Sequence, residues 1–260
     1  MKRAIGAKIW ALSVNVLREA IRDRLLLILT VSGAVVMLFS LVLGKMTVGG
    51  QERVVQNMGF WVLGIWGLLA VLYLGSNIIK QELQRQTIYL LLSRPVNRPT
   101  FLMGKFLGML FVLLFTFGLL AVVWLALMQI TKIPLTPQHF WALAFIFGEW
   151  IVLAAFSLFF ASFTSPLLHN FFLVGITFLG HWSNDLRIYA ANADDLWLQK
   201  LLKTLYFILP NLEALNFRDA ALLQGNIGPG LLMEGAVVLF GWIGCALIAA
   251  NLIFVRRKLL

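Results

Sequence analysis

KQELQRQTIYLLLSRPVNRPTFLMGK, residues 80–105, is the stretch from which the rest of the chain is read. It carries Lys80, Arg85, Arg94, Arg98 and Lys105 against one acid, Glu82, and Pro95 and Pro99 interrupt it. Long apolar runs flank it on both sides. A loop this charged between two membrane spans must lie in water, and its positive charge assigns it to the cytoplasmic face. Its centre, Thr87-Ile88-Tyr89-Leu90-Leu91-Leu92, is more apolar than a connector needs to be. A short apolar helix held at the membrane surface by basic flanks reads as a docking element for a soluble partner.

The composition around this loop is that of a polytopic membrane protein. Of 260 residues, 61% are hydrophobic, and the mean hydropathy is +0.90. The net charge of +10 invites a nucleic-acid reading, but the charge is distributed by topology. With the spans given below, 14 of the 21 Lys and Arg and only three of the 11 acids (Glu19, Asp23, Glu82) fall on the cytoplasmic side. That asymmetry orients the chain and favours anionic lipid headgroups. The single cysteine, Cys245, excludes an internal disulfide and a multi-cysteine metal site. Arg18, Glu19, Arg22, Asp23 and Arg24 interrupt any apolar region of a signal peptide, so the first span is expected to be a retained anchor.

The spacing predicts a single all-α domain over residues 1–260 with six transmembrane helices and both termini in the cytoplasm. A bilayer core of about 30 Å requires about 20 apolar residues per helix. Residues 4–22 form an interfacial amphipathic helix: Lys8, Asn15, Arg18, Glu19 and Arg22 share one arc, with Ile5, Ile9, Leu12, Val16 and Ala20 opposite. Span 1 is Leu25–Gly44, followed by an outer loop, Lys45–Asn57, and span 2 is Met58–Ile79. Beyond the basic loop, span 3 is Phe106–Ile130 and span 4 is His139–Phe163. Span 5, counted from Pro166 to Trp182, sits at the lower limit for a crossing. Two short outer-face helices follow in 183–230, one over Asp195–Leu209 with a Trp197, Leu201, Leu205, Ile208 stripe, and one over Asn211–Gln224. Span 6 is Leu231–Val255, stopped inside by Arg256-Arg257-Lys258.

Sites for chemistry are scarce. The chain has no G-x-x-x-x-G-K-[ST], G-x-S-x-G, H-E-x-x-H or C-x-x-C, so neither a phosphate loop nor an enzyme active site is expected. His139, His169 and His181 fall at an outer end, an inner turn and an outer end, where each reads as interfacial and no metal is expected. Glu149 lies near the middle of span 4, where an ionised group must face a bundle interior or a wet cavity, or be protonated. It is either a substrate-path residue or a neutral acid hydrogen-bonded between helices. Glu234, near the outer end of span 6, reads as solvated by the interface. Trp61, Trp141 and Trp182 match an interfacial belt, and Trp150 and Trp242 match packing positions. Gly64/Gly67 and Gly241/Gly244 would permit close helix approach.

This pattern resembles the permease subunits of ABC-2 type (type V) ABC transporters. The resemblance covers the chain in topology and is concentrated in Glu82–Lys105. Where family members show Glu, a Gly-Thr step, a leucine run, Ser-x-Pro-Val and Gly-Lys, this chain has Glu82, Gln86-Thr87, Leu90-Leu91-Leu92, Ser93-Arg94-Pro95-Val96 and Gly104-Lys105. Gln86 stands where glycine is frequent. The string Leu91-Leu92-Ser93-Arg94-Pro95-Val96 is similar to the branch linked to copper-enzyme maturation.

The resemblance implies a cytoplasmic coupling helix seated in a partner ATPase through Glu82, Arg85, Thr87, Ile88, Tyr89, Leu90, Leu91 and Arg94. It implies two ATPase copies that hold the ATP and Mg²⁺, a second permease copy or a related permease, and the bacterial cytoplasmic (inner) membrane. ATP-driven transport, as an exporter, is the expected function, with no enzymatic activity or cofactor in this chain. A non-transporting membrane anchor or assembly factor, recruiting a soluble complex through the same loop, is the competing reading.

Overall fold

The computed structural model describes residues 2–85, 98–223 and 225–256, and every regular element among them is a helix. In chain order these are α1 (Lys2–Ile21), α2 (Arg24–Met46), α3 (Gln51–Arg85), α4 (Arg98–Ile130), α5 (Pro137–Ala161), α6 (Pro166–His181), α7 (Ser183–Asn192), α8 (Leu196–Ile208), α9 (Arg218–Leu222) and α10 (Pro229–Arg256). A 3₁₀ turn, Glu213–Leu215, precedes α9. Among the described residues, five helices are long and apolar enough to cross a membrane: α2, α3 as far as Asn77, α4, α5 and α10. α6 is apolar but has only 16 residues. At 1.5 Å per residue it reaches about 24 Å, short of a bilayer core of about 30 Å.

Helix ends depart from the sequence expectation wherever polar residues lie inside a helix. The outer loop expected over Lys45–Asn57 shrinks to residues 47–50, because Gln51, Glu52, Arg53, Gln56 and Asn57 form the first turns of α3. The reversal depends on Gly49, whose φ of 70° lies in the left-handed region that glycine enters freely. The basic stretch is likewise shorter than a loop of 80–105. α3 continues to Arg85, taking in Glu82, and α4 starts at Arg98. Pro99 is tolerated there because the first helical turn has no N–H to lose. Thr87, Ile88, Tyr89, Leu90, Leu91 and Arg94, with the Ser93-Arg94-Pro95-Val96 string, lie outside the described residues.

α1 packs on α4 through its middle turns. Its Leu12, Ser13 and Val16 press onto Gly104 and Gly108 of α4. A Cβ on Gly104 would stand 2.8 Å from Leu12 Cβ, and one on Gly108 would stand 2.6 Å from Val16 Cβ. Two glycines four residues apart clear one helical face, which is what lets two helices touch backbone to backbone. Ser13 Oγ reaches the Gly104 carbonyl at 3.0 Å and the Ile9 carbonyl at 2.9 Å. At the elbow, Asp23 caps α2 by accepting from the Leu25 N–H at 2.9 Å. Tyr73 of α3 donates its hydroxyl to the same carboxylate.

Tryptophans seated over glycines join the core helices. A Cβ on Gly67 would lie 1.8 Å from Trp150 Nε1, one on Gly59 1.8 Å from Trp124 Cδ1, and one on Gly33 2.7 Å from Trp66 Cδ1. Trp150 Nε1 donates to the Leu63 carbonyl at 3.0 Å and Trp66 Nε1 to the Leu29 carbonyl at 2.8 Å. Each indole therefore fills a missing side chain's volume, and two of them also satisfy their polar atom. The result binds α5 to α3 and α3 to α2. Gly67 thus admits a side chain rather than a neighbouring backbone. Gly241 and Gly244 have nothing within 4 Å of a Cβ, so they bring no helix close within the chain.

Beyond α6 the chain is more broken than two short helices. α7 starts directly after Trp182, whose φ of −89° and ψ of 6° turn the path without leaving a loop. α7 and α8 pack on each other as a hairpin. The expected helix over Asn211–Gln224 divides because two asparagines take over backbone bonding. Asn211 Oδ1 accepts from the Ala214 N–H at 3.1 Å and from Ser183 Oγ at 2.7 Å. Asn216 Oδ1 accepts from the Arg218 N–H at 3.3 Å. The stub that remains, α9, rests on α3 and α5.

Candidate functional site

Glu149 is 5% exposed in the middle of α5, a largely buried helix. A carboxylate there is costly unless it is paired and bonded. Both of its oxygens are engaged. Arg218 Nη2, from α9, donates to Oε2 at 3.2 Å, and His181 Nε2, from the last turn of α6, stands 3.4 Å from Oε1. His181 is oriented by its other nitrogen, which lies 3.0 Å from the Thr177 carbonyl. A carbonyl oxygen only accepts, so Nδ1 carries a hydrogen, and a bond between Nε2 and Glu149 then requires a second proton, on Nε2 or on the carboxyl.

Local sequence explains how a residue outside the long helices reaches mid-helix depth. Asn216 caps the turn before Arg218, and Phe217, 7% exposed, packs on Phe145 of α5 with ring centroids 4.5 Å apart. Gly64 of α3 clears the guanidinium: a Cβ there would lie 2.8 Å from Arg218 Nη2. Three segments, α5, α6 and α9, thus converge on one carboxylate beside α3.

A cavity of ≈ 300 Å³ opens at this cluster. Trp61, Ile65, Leu68, Phe178 and Trp182 form its apolar wall, and Glu149, His181 and Arg218 its polar end. A second cavity of ≈ 510 Å³ shares Trp61 and Arg218 with the first and adds Asn57, Asn216 and Asp219. Apolar walls around a few convergent polar groups are the usual make-up of a small-molecule site.

A second polar chain runs through the bundle toward the other end of α3. His169 is 0% exposed on α6, and its Nε2 lies 2.9 Å from Ser157 Oγ of α5. Its Nδ1 lies 3.0 Å from Asn170 Oδ1, which Ser76 Oγ of α3 approaches at 2.7 Å. With Nδ1–H donating to Asn170 and Ser157 O–H donating to Nε2, every contact has a donor and an acceptor. Gly75 leaves room for this chain, since a Cβ there would meet Ser157 Oγ at 2.1 Å.

The residues singled out from the sequence fare unevenly. Glu149 lies at the centre of the cluster, between Arg218 and His181. Glu82 and Arg85 fall on the final turns of α3. None of the three histidines behaves as a plain interfacial residue: His139 is 1% exposed beneath the Thr136 cap, His169 is interior, and His181 faces Glu149. Among the described residues no group of three His, Cys, Asp or Glu is placed to hold a metal. Arg218 and His181 went unrecognised as a site. The signal for Arg218 was a lone base inside an Asn-Phe-Arg-Asp turn with an apolar neighbour.

The sequence matches the family described as ABC-2 family transporter protein over residues 10–259. A comparison with curated proteins finds no match.

Proposed function

The chain belongs to the ABC-2 family of transporter proteins, and on that premise we propose that it is the permease subunit of an ATP-driven exporter in a bacterial inner membrane. The observation that carries this reading is a family match across nearly the whole of a multi-pass helical chain. α6 serves as a short fifth crossing, giving six spans with both termini in the cytoplasm, in keeping with the basic residues at both chain ends and in the 80–105 stretch. Two permeases pair, as copies or relatives, and each sits above an ATPase that binds ATP and Mg²⁺.

Residues Glu82, Arg85, Thr87, Ile88, Tyr89, Leu90, Leu91 and Arg94 dock on that ATPase. Tyr89, Leu90 and Leu91 supply the apolar area through which a short helix can be gripped and pushed. The push divides between two helices, since the loop joins the end of α3 to the start of α4. α1, seated on Gly104 and Gly108, moves with α4. At the far end of the same bundle Glu149 lines the path taken by the cargo.

The test is ATP turnover by the partner ATPase with the chain reconstituted in a bilayer. Replacing Tyr89, Leu90 and Leu91 by Asp is expected to abolish the dependence of turnover on the permease. Turnover that tracks the permease equally well in that variant contradicts the reading.

A further inference from the structure

The Glu149 carboxylate does not use all of the donors that Arg218 brings to it. Two basic side chains, His181 and Arg218, address one carboxylate, and both of its oxygens are already engaged. Arg218 Nε is buried and has no hydrogen-bond partner among the described residues. A buried guanidinium N–H without an acceptor forgoes a charge-assisted bond, the strongest kind that a side chain makes. Asp219, the neighbouring acid on α9, is exposed and lines the adjoining cavity rather than closing on Nε.

The walls specify the rest of the ligand. On one side of the charged end stand Trp61, Ile65, Leu68, Phe178 and Trp182. Trp61 of α3 is 52% exposed, Phe178 of α6 60%, and Trp182, between α6 and α7, 60%. The apolar side of the cavity therefore reaches the apolar exterior of the protein, which on the permease reading faces hydrocarbon. A molecule with a tail could enter along that surface, while its charged head reaches Arg218, which also borders the adjoining polar cavity.

We propose that this cavity binds an amphiphile with an anionic head, a phosphate or carboxylate, held by Arg218 and His181. Its tail lies against Trp61, Ile65, Leu68, Phe178 and Trp182. Glu149 is the competitor: it holds Arg218 when the site is empty and yields it to the incoming anion, much as two acids would share one base. The inference takes its purpose, a cargo or lipid site on the transport path, from the permease reading. Its chemistry rests on the cluster alone.

The test is native mass spectrometry of the purified chain in dodecyl maltoside, titrated with dodecyl phosphate. Dodecanol and inorganic phosphate are the controls. The expected result is saturable uptake of one dodecyl phosphate per chain, with neither control taken up. Glu149→Gln removes the competing charge and keeps the shape, so it is expected to bind dodecyl phosphate about 10-fold more tightly. Arg218→Gln is expected to bind about 10-fold more weakly, the scale of one charge-assisted bond. Where that variant does not fold, Arg218→Lys keeps the charge but loses the fork, and weaker binding is again expected.

Unchanged or weaker binding in Glu149→Gln overturns the proposal. So does inorganic phosphate binding as well as dodecyl phosphate, which would make this a free-anion site. No saturable uptake also overturns it, as when a second copy of the chain covers the cavity. Binding by a chain that recruits no ATPase would keep this site and remove the transport reading; the converse result would do the opposite.

Discussion

Ser13 Oγ lies 3.0 Å from the carbonyl oxygen of Gly104, a contact between residues 91 positions apart. It pins α1 to the early turns of α4. On the permease reading, a displacement of the start of α4 carries α1 with it. The Gly104-Lys105 pair that marks the family resemblance has a structural role here: its glycine is the seat of α1.

Gly108→Leu is expected to unseat α1, because a Cβ at Gly108 already meets Val16 Cβ at 2.6 Å and the Ser13 backbone at 3.1 Å, and backbone cannot swing aside. Overpacking of this kind costs about 1–3 kcal/mol. Hydrogen exchange should show lost protection across residues 6–20 with α5 unaffected. Ser13→Ala is expected to do the same more weakly, at about 1 kcal/mol. Equal protection in Gly108→Leu and the parent would show that α1 is not held there.

The sockets beneath the tryptophans make a paired test. Gly67→Ala must displace Trp150, which is 0% exposed and bonded to the Leu63 carbonyl. A loss of about 1–3 kcal/mol is expected. Gly244→Ala meets nothing within 4 Å and is expected to be neutral or slightly stabilising, since alanine favours helix by about 1 kcal/mol over glycine. Thermal unfolding in micelles separates the two; a Gly67→Ala variant as stable as Gly244→Ala would contradict the socket.

Long apolar runs made most of this fold legible. α2, α4, α5 and α10 follow from length and hydropathy, which depend only on neighbours in sequence. What stayed hidden depends on neighbours in space. Arg218 and Glu149 are 69 residues apart, so neither flanking sequence announces the pair. Ser76 and Ser157 look like tolerated small polar residues until His169 is found between α3 and α5. α7 was obscured by Ser183-Asn184-Asp185, which reads as a turn yet begins a helix, because Trp182 redirects the chain without breaking it. The start of α3 is hidden because Glu52, Arg53 and Gln56 are polar like a loop yet have good helix propensity.

Removing one partner of the buried pair should cost more than removing both. Arg218→Met leaves Glu149, 5% exposed, facing only His181. An uncompensated buried charge costs about 3–5 kcal/mol; Arg218's own partial exposure lowers that toward the bottom of the range. The double variant Arg218→Met, Glu149→Met is expected to recover at least half of the loss in thermal unfolding. A double variant less stable than Arg218→Met would show that the pair is not coupled in this way.

His169→Leu leaves Ser157 and Asn170 without their shared partner in the interior. The expected loss is about 1–3 kcal/mol. It should be accompanied by faster hydrogen exchange near Ser76, because that chain links α3 to α6. An effect confined to α6 would mean that Ser76 is held by its other contact, the Leu72 carbonyl at 2.8 Å.

The central claim is that this chain is an ABC permease gripped through the segment between α3 and α4. Co-purification in mild detergent with its ATPase, read by native mass, tests it most directly. The expected result is an assembly of two permeases and two ATPases that is lost when Tyr89, Leu90 and Leu91 are replaced by Asp. A permease that purifies alone, or an assembly unaffected by that replacement, would contradict the claim.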